Sequence, residues 1–147
     1  MNIKVKMKKL NPLAKLPVYS SQYAAGADLY ACLDSDVKIG AGETVFIKTG
    51  LAMELPCGLV ALVYARSGLA SKRGLAPANK VGVVDCDYRG ELMVALHNHS
   101  DTAQIVSNGE RIAQMVITPY ITADFEETDE LSETVRGEGG FGSTGLK

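Results

Sequence analysis

Glycine punctuates this chain at close to regular intervals. Gly40, Gly42, Gly50, Gly58, Gly74, Gly82, Gly90 and the Asn108-Gly109 pair leave between them only short apolar or alternating runs. "VKIGAGETVFIKTGLAMELP" holds several such runs and stops at Pro56. "GLVALVYA" (Gly58 to Ala65), "ELMVALHN" (Glu91 to Asn98) and "RIAQMVITPYI" (Arg111 to Ile121) are three more. Segments this short, with turn residues recurring about every ten positions, predict an all-β barrel or sandwich. One helix is expected over "SGLASKRG", with Ser67 as its cap and Gly74 as its end. From Thr122 the chain turns acidic and polar, then glycine-rich. That tail is either disordered or folds onto something else. The expected organisation is one β-domain over 1–134 and a glycine-rich tail over 135–147.

A chain of 147 residues with 46% apolar content can bury its own core as one domain. Its 15 basic and 17 acidic residues give a net charge of -2, so no broad electrostatic surface for nucleic acid or membrane is expected. Cys32, Cys57 and Cys86 form no CxxC pair, which argues against a zinc knuckle and suits a reducing compartment. "MNIKVKMKKLNP" is basic but lacks an apolar core and a cleavage site, and no apolar run reaches membrane length. The expected location is the cytoplasm.

Five stretches carry candidate chemistry. "RGEGGFGSTG", Arg136 to Gly145, combines a guanidinium, hydroxyls and glycines that free backbone N–H groups for an anion, although a flexible polar tail has the same composition. In "ARSGLA", Arg66 and Ser67 open the expected helix, a favourable place for phosphate or simply a helix cap. "NKVGVVDCDYRG" sets Asp85 and Asp87 two apart, on one face if extended and diverging if in a turn. Either carboxylate can orient and deprotonate a water. In "AAGADLYA", Asp28 suits either a hydrated cation or a turn. In "GERIAQMVI", the Gln114 amide lies inside an apolar strand and needs a partner, either backbone or ligand. His97 and His99 lack a visible third metal ligand and read as surface or interface residues.

In this order and at these separations, "AGADLYA", "RSGLA", "GVVDCDYRGEL", "GERIAQMV" and "RGEGGFGSTG" resemble the motifs of the trimeric dUTP pyrophosphatase (dUTPase) family. The resemblance runs from Ala25 to Gly145, with Ala65 standing where the family usually has proline. It implies a jelly-roll-like distorted β-barrel of β-clip type with one short helix. It further implies a homotrimer whose C-terminal tail closes an active site of another subunit. The implied reaction is Mg²⁺-dependent hydrolysis of dUTP at the α-phosphorus to dUMP and pyrophosphate, keeping uracil out of DNA and supplying dUMP for thymidylate synthesis.

By the same resemblance, Arg66, Ser67, Gly68 and Gln114 would hold the phosphates. Asn79, Gly82, Val83, Val84 and Met93 would surround the uracil, and Tyr88 would pack on the deoxyribose. Asp85 would activate the attacking water. Asp28 would reach Mg²⁺ through water, the metal being held mainly by the triphosphate. Arg136, Phe141, Gly142, Ser143 and Thr144 would close over the nucleotide. dCTP deaminases resemble this pattern too, but their catalytic glutamate would fall at Ala95 here. A non-enzymatic nucleotide-sensing or protein-binding trimer is a second alternative, and a jelly-roll structural protein, which would not need the ordered set of motifs, a third.

Overall fold

The computed structural model describes residues 3–140. Among them are twelve strands and one helix. The strands are β1 (Lys6–Lys9), β2 (Val18–Tyr19), β3 (Ala27–Tyr30), β4 (Val37–Ile39), β5 (Thr44–Lys48), β6 (Leu51–Glu54), β7 (Leu59–Tyr64), β8 (Leu75–Pro77), β9 (Val81–Val84), β10 (Met93–Asn98), β11 (Gln104–Val106) and β12 (Arg111–Pro119). The helix, α1, spans Ser67–Arg73. All-β architecture with one short helix is what the glycine spacing and the resemblance lead one to expect.

The strands form four small sheets, ordered β1-β6, β5-β10-β8, β11-β4 and β2-β3-β12-β7-β9, with every pair antiparallel. The core is a single cluster that includes Leu29, Ile39, Ile47, Leu51, Leu75, Leu96, Val106 and Ile112. Burying a Leu or Ile side chain of this kind is worth about 1.5–3 kcal/mol.

Buried polar groups are few and satisfied. Asn98, fully buried, donates from Nδ2 to the Ile39 and Thr102 carbonyls (3.0 and 2.7 Å). Its Oδ1 accepts from the Ser100 N–H and hydroxyl (2.9 and 2.7 Å). One side chain thereby ties the end of β10 to β4 and to its own turn.

Helix α1 departs from expectation at its start. The N-cap is Arg66, in extended conformation and without a side-chain cap bond, so Ser67 is the first helical residue and not the cap. Its hydroxyl is thus not committed to capping. The end is as expected: Gly74 is left-handed (φ 65°) and its N–H donates to the Ala70 carbonyl at 3.1 Å.

The five-stranded sheet positions the functional residues. Paired residues in antiparallel strands share a face, and neighbours along a strand alternate. The pairs Ala27↔Met115, Val63↔Met115, Val63↔Gly82 and Ala61↔Val84 define the face that packs into the core. Asp28↔Gln114, Gln114↔Tyr64 and Leu62↔Val83 define the opposite, outer face. The only register shift in this sheet falls between Arg111 and Ala113.

Candidate active site: two cavities on opposite faces of one sheet

A cavity of about 270 Å³ opens between β9, β10 and the turn that joins them; the two strands belong to different sheets and do not pair. Asn79, Gly82, Val83, Val84, Asp85, Tyr88 and Met93 all line this turn cavity, so the structure brings together the residues singled out between Asn79 and Met93. Leu29, Val63 and Val94 supply its apolar floor, and Phe46 stands at its edge, 66% exposed. Asp85 follows the last residue of β9 and is exposed. A turn begins there, closed by the Tyr88 N–H donating to the Asp85 carbonyl at 3.2 Å. Asp85 and Asp87 therefore sit in a turn, the diverging alternative, and Asp85 alone of the two lines the cavity. The Tyr88 hydroxyl donates to the Glu91 carbonyl at 3.0 Å, which holds the ring against the segment between the turn and β10. The Arg89 guanidinium donates to the Cys86 and Tyr88 carbonyls (2.7 and 3.0 Å) and stiffens the turn from outside.

A second cavity, about 380 Å³ and more polar in its lining, is bounded by Asp28, Tyr64, Arg66, Ser67, Gln114 and the loop before β3. Asp28 is buried, 6% exposed. Its Oδ1 accepts from Arg66 Nε at 2.7 Å and its Oδ2 from Arg111 NH1 at 3.2 Å. Gln114 Nε2 donates to the Ala65 carbonyl at 2.9 Å, so that nitrogen has a backbone partner. Close approach explains one glycine: a Cβ at Gly26 would stand 2.6 Å from Gln114 Oε1. Gly68 lies on the first turn of α1 but lines neither cavity.

The remaining sequence candidates lie elsewhere. Arg136 lines neither cavity, and its Nε donates to the Gly139 carbonyl at 2.8 Å. Residues 119–138 are all exposed, including Ile121, Phe125, Leu131 and Val135. Phe141, Gly142, Ser143 and Thr144 lie outside the described residues. His97 and His99 meet edge to face with ring centres 4.4 Å apart, and Thr44 Oγ1 bonds His97 Nδ1 at 2.8 Å. Burial, the neighbouring His97 and Lys80 hold the His99 ring below the ordinary histidine pKa. Cys32 is buried in the core, while Cys57 and Cys86 are free thiols nearer the surface.

Tyr64, Phe46 and Arg111 are among the site residues that the sequence does not mark as functional. Tyr64 and Phe46 sit in ordinary strand patterns that give no hint of a cavity. Arg111 was visible in "GERIAQMV", but strict alternation would put it on the core face with Ala113 and Met115. Only the register shift turns it toward Asp28.

Among the described residues no cluster of three or more His, Cys, Asp or Glu forms a metal cage. Near the second cavity the hard oxygen donor is Asp28, already in two ion pairs. That donor set fits a magnesium ion carried by phosphate oxygens and waters, which keeps most of its own hydration, and not one held by the protein.

The dUTPase family model matches residues 13–145. The chain belongs to the dUTPase family. It is 51% identical over 147 residues to the deoxyuridine 5'-triphosphate nucleotidohydrolase of Desulfitobacterium hafniense, covering 99% of this chain and 97% of that protein. The solved dUTPase of Staphylococcus bacteriophage 80alpha with dUpNHpp is similar with a TM-score of 0.89 at 29% identity, over 99% of this chain and all of that one. A dUTPase variant from phage phi11 of S. aureus, described for coordination of a structural Mg(II) ion, shares the fold with a TM-score of 0.79 over 89% of this chain and all of that one, at 23% identity. The jelly-roll-like β-clip barrel is thus the fold of this dUTPase chain, and the deaminase and non-enzymatic alternatives have no support among these relatives.

Proposed function

We infer that this dUTPase chain hydrolyses dUTP to dUMP and pyrophosphate, in a site that two or more copies of the chain complete. The observation that carries the second half is the placement of the cavities. Leu29 and Val63 line the turn cavity from the core face of the sheet, while their neighbours Asp28 and Tyr64 line the polar cavity from the outer face. A single nucleotide cannot reach both without crossing the sheet. One copy therefore offers the base and sugar pocket, and another offers Arg66, Ser67 and Gln114 to the phosphates. Val18 and Val81, 49% and 36% exposed on the outer face, leave apolar surface for a neighbouring copy. A homotrimer, as the sequence resemblance implies, closes three such sites by one rotation.

Recognition follows from the cavity linings. The apolar walls of Val84, Val63 and Met93 suit a pyrimidine ring, and the Asn79 amide offers both a donor and an acceptor to its polar edge. Tyr88, fixed by its bond to the Glu91 carbonyl, leaves a 2′-hydroxyl without a partner.

The reaction is an in-line displacement at the α-phosphorus. Asp85, exposed at the rim, orients a water and takes its proton as the new O–P bond forms. The bond from the α-phosphorus to the bridging oxygen breaks, and pyrophosphate leaves with its charge offset by Arg66 and by Arg136 of a closing tail. No covalent enzyme intermediate forms. Phe141, Gly142, Ser143 and Thr144 belong to that tail in this reading, which orders over the nucleotide and excludes water. Magnesium, when carried in on the triphosphate with Asp28 as an outer carboxylate, supplies charge neutralisation. No described helix is long and apolar enough to cross a membrane, and the cytoplasm is the location we assign.

Hydrolysis in ¹⁸O-labelled water tests the point of attack. The label is expected in dUMP, as read by mass spectrometry. Label in the pyrophosphate would place the attack on the β-phosphorus and contradict the role given to Asp85.

A further inference from the structure

We propose that Arg111 is a positioning residue for the phosphate cavity, acting through Asp28 to fix Arg66. The proposal rests on the reading of that cavity as the phosphate site. It begins with the register shift in β12. Arg111 pairs with Tyr30 and Ala113 with Leu29, so two steps along β12 match one step along β3. Such a bulge re-aims a side chain. Arg111 leaves the core face to which alternation would assign it and joins Tyr30 and Asp28 on the outer face.

There it meets a carboxylate that is nearly buried. The Asp28 side chain is 8% exposed, that of Arg66 25% and that of Arg111 47%. Each guanidinium takes a different oxygen, Arg66 Nε on Oδ1 and Arg111 NH1 on Oδ2. Anchoring both oxygens fixes the plane of the carboxylate, which one bond alone leaves free to rotate. The fixed carboxylate then fixes Arg66 through Nε. Among the described residues, the terminal amino groups of Arg66 have no protein partner. Those two groups form the paired donor set that suits a phosphate.

Arg111 does not itself line the phosphate cavity. It borders the adjoining hollow with Tyr30, Leu69, Arg73 and Glu110, and Arg66 lines both that hollow and the phosphate cavity. Arg73 in that hollow is committed elsewhere, to Glu110, Gln104 and the Ile105 carbonyl. Arg111 is thus the outer member of a chain Arg111–Asp28–Arg66, of which Asp28 and Arg66, but not Arg111, line the phosphate cavity.

The test measures the affinities of dUpNHpp and deoxyuridine for the full-length protein by calorimetry. Arg111→Gln is expected to weaken dUpNHpp about tenfold, within the range of coupled neighbours, and to leave deoxyuridine unchanged. Arg111→Lys, which keeps a donor for Asp28, recovers part of the loss. In an Asp28→Asn background, Arg111→Gln adds no further loss, because the link through which it acts is gone. Equal losses in both backgrounds mean direct contact with the ligand and overturn the proposal. So does a parallel loss of both ligands, the signature of a merely structural role, or no loss at all. Arg66→Gln is the separate control. If it leaves dUpNHpp affinity intact, the phosphate reading of the cavity falls, and the proposal with it.

Discussion

Asp85→Asn is expected to lower turnover on dUTP by about 10²-fold or more, the usual scale for loss of a general base, while dUpNHpp still binds. The substitution keeps the shape of the side chain. The turn survives it, because Asp85 contributes its backbone carbonyl to the Tyr88 N–H and not its carboxylate. The position is exposed at the cavity rim, so no buried charge is created or lost. The loss belongs in kcat, with binding of the analogue as the check on folding. Near-normal turnover would remove Asp85 from the chemistry and turn attention to Asp87, which shares the turn but not the cavity lining.

The sequence makes these cavity residues legible for a physical reason. Asn79, Gly82, Val83, Val84, Asp85, Tyr88 and Met93 are close in the chain, and a turn between β9 and β10 needs only local chemistry to keep them near one another. The short strands are legible for the same reason, since Gly40, Gly42, Gly50, Pro56 and Gly58 separate β4, β5, β6 and β7 from one another. Long-range pairing is not written locally. β5 pairs β10 across some fifty residues, as in Phe46↔Ala95, and nothing in "TVFIK" marks Phe46 as a cavity residue. The bulge that turns Arg111 outward arises from how β12 fits β3, and the residues between Arg111 and Ala113 show no glycine or proline to announce it. Ser67 looked like a cap because its type favours caps, but the chain enters the helix extended through Arg66, one residue earlier. Asp28 is read from sequence as a possible cation ligand, and its burial between two guanidinium groups is a tertiary outcome.

Arg66→Gln is expected to lower kcat/KM for dUTP by about 10²- to 10³-fold, the scale for removing one preorganised donor from a developing charge. Its Nε is the closest partner of Asp28, and the residue lines both the phosphate cavity and the hollow beside it. The variant also leaves the buried Asp28 with Arg111 alone, at 3.2 Å. A stability loss of about 1–3 kcal/mol in denaturant unfolding accompanies it. Deoxyuridine, which carries no phosphate, binds Arg66→Gln as it binds the parent protein. An unchanged kcat/KM would show that the outer-face cavity does not serve the phosphates.

These two variants fail for complementary reasons, since one spoils the turn cavity and the other the outer-face cavity. Mixing Asp85→Asn with Arg66→Gln under conditions that exchange subunits, and then measuring dUTP hydrolysis, tests whether one site draws on two copies of the chain. In a mixed assembly, an intact Asp85 from one copy meets an intact Arg66 from its neighbour. Activity is expected to return to about a quarter of the wild-type level for random equal mixing in a cyclic trimer. If mass measurement confirms the exchange and activity stays at the level of the separate variants, both cavities serve a nucleotide within one chain, and a site shared between copies is excluded.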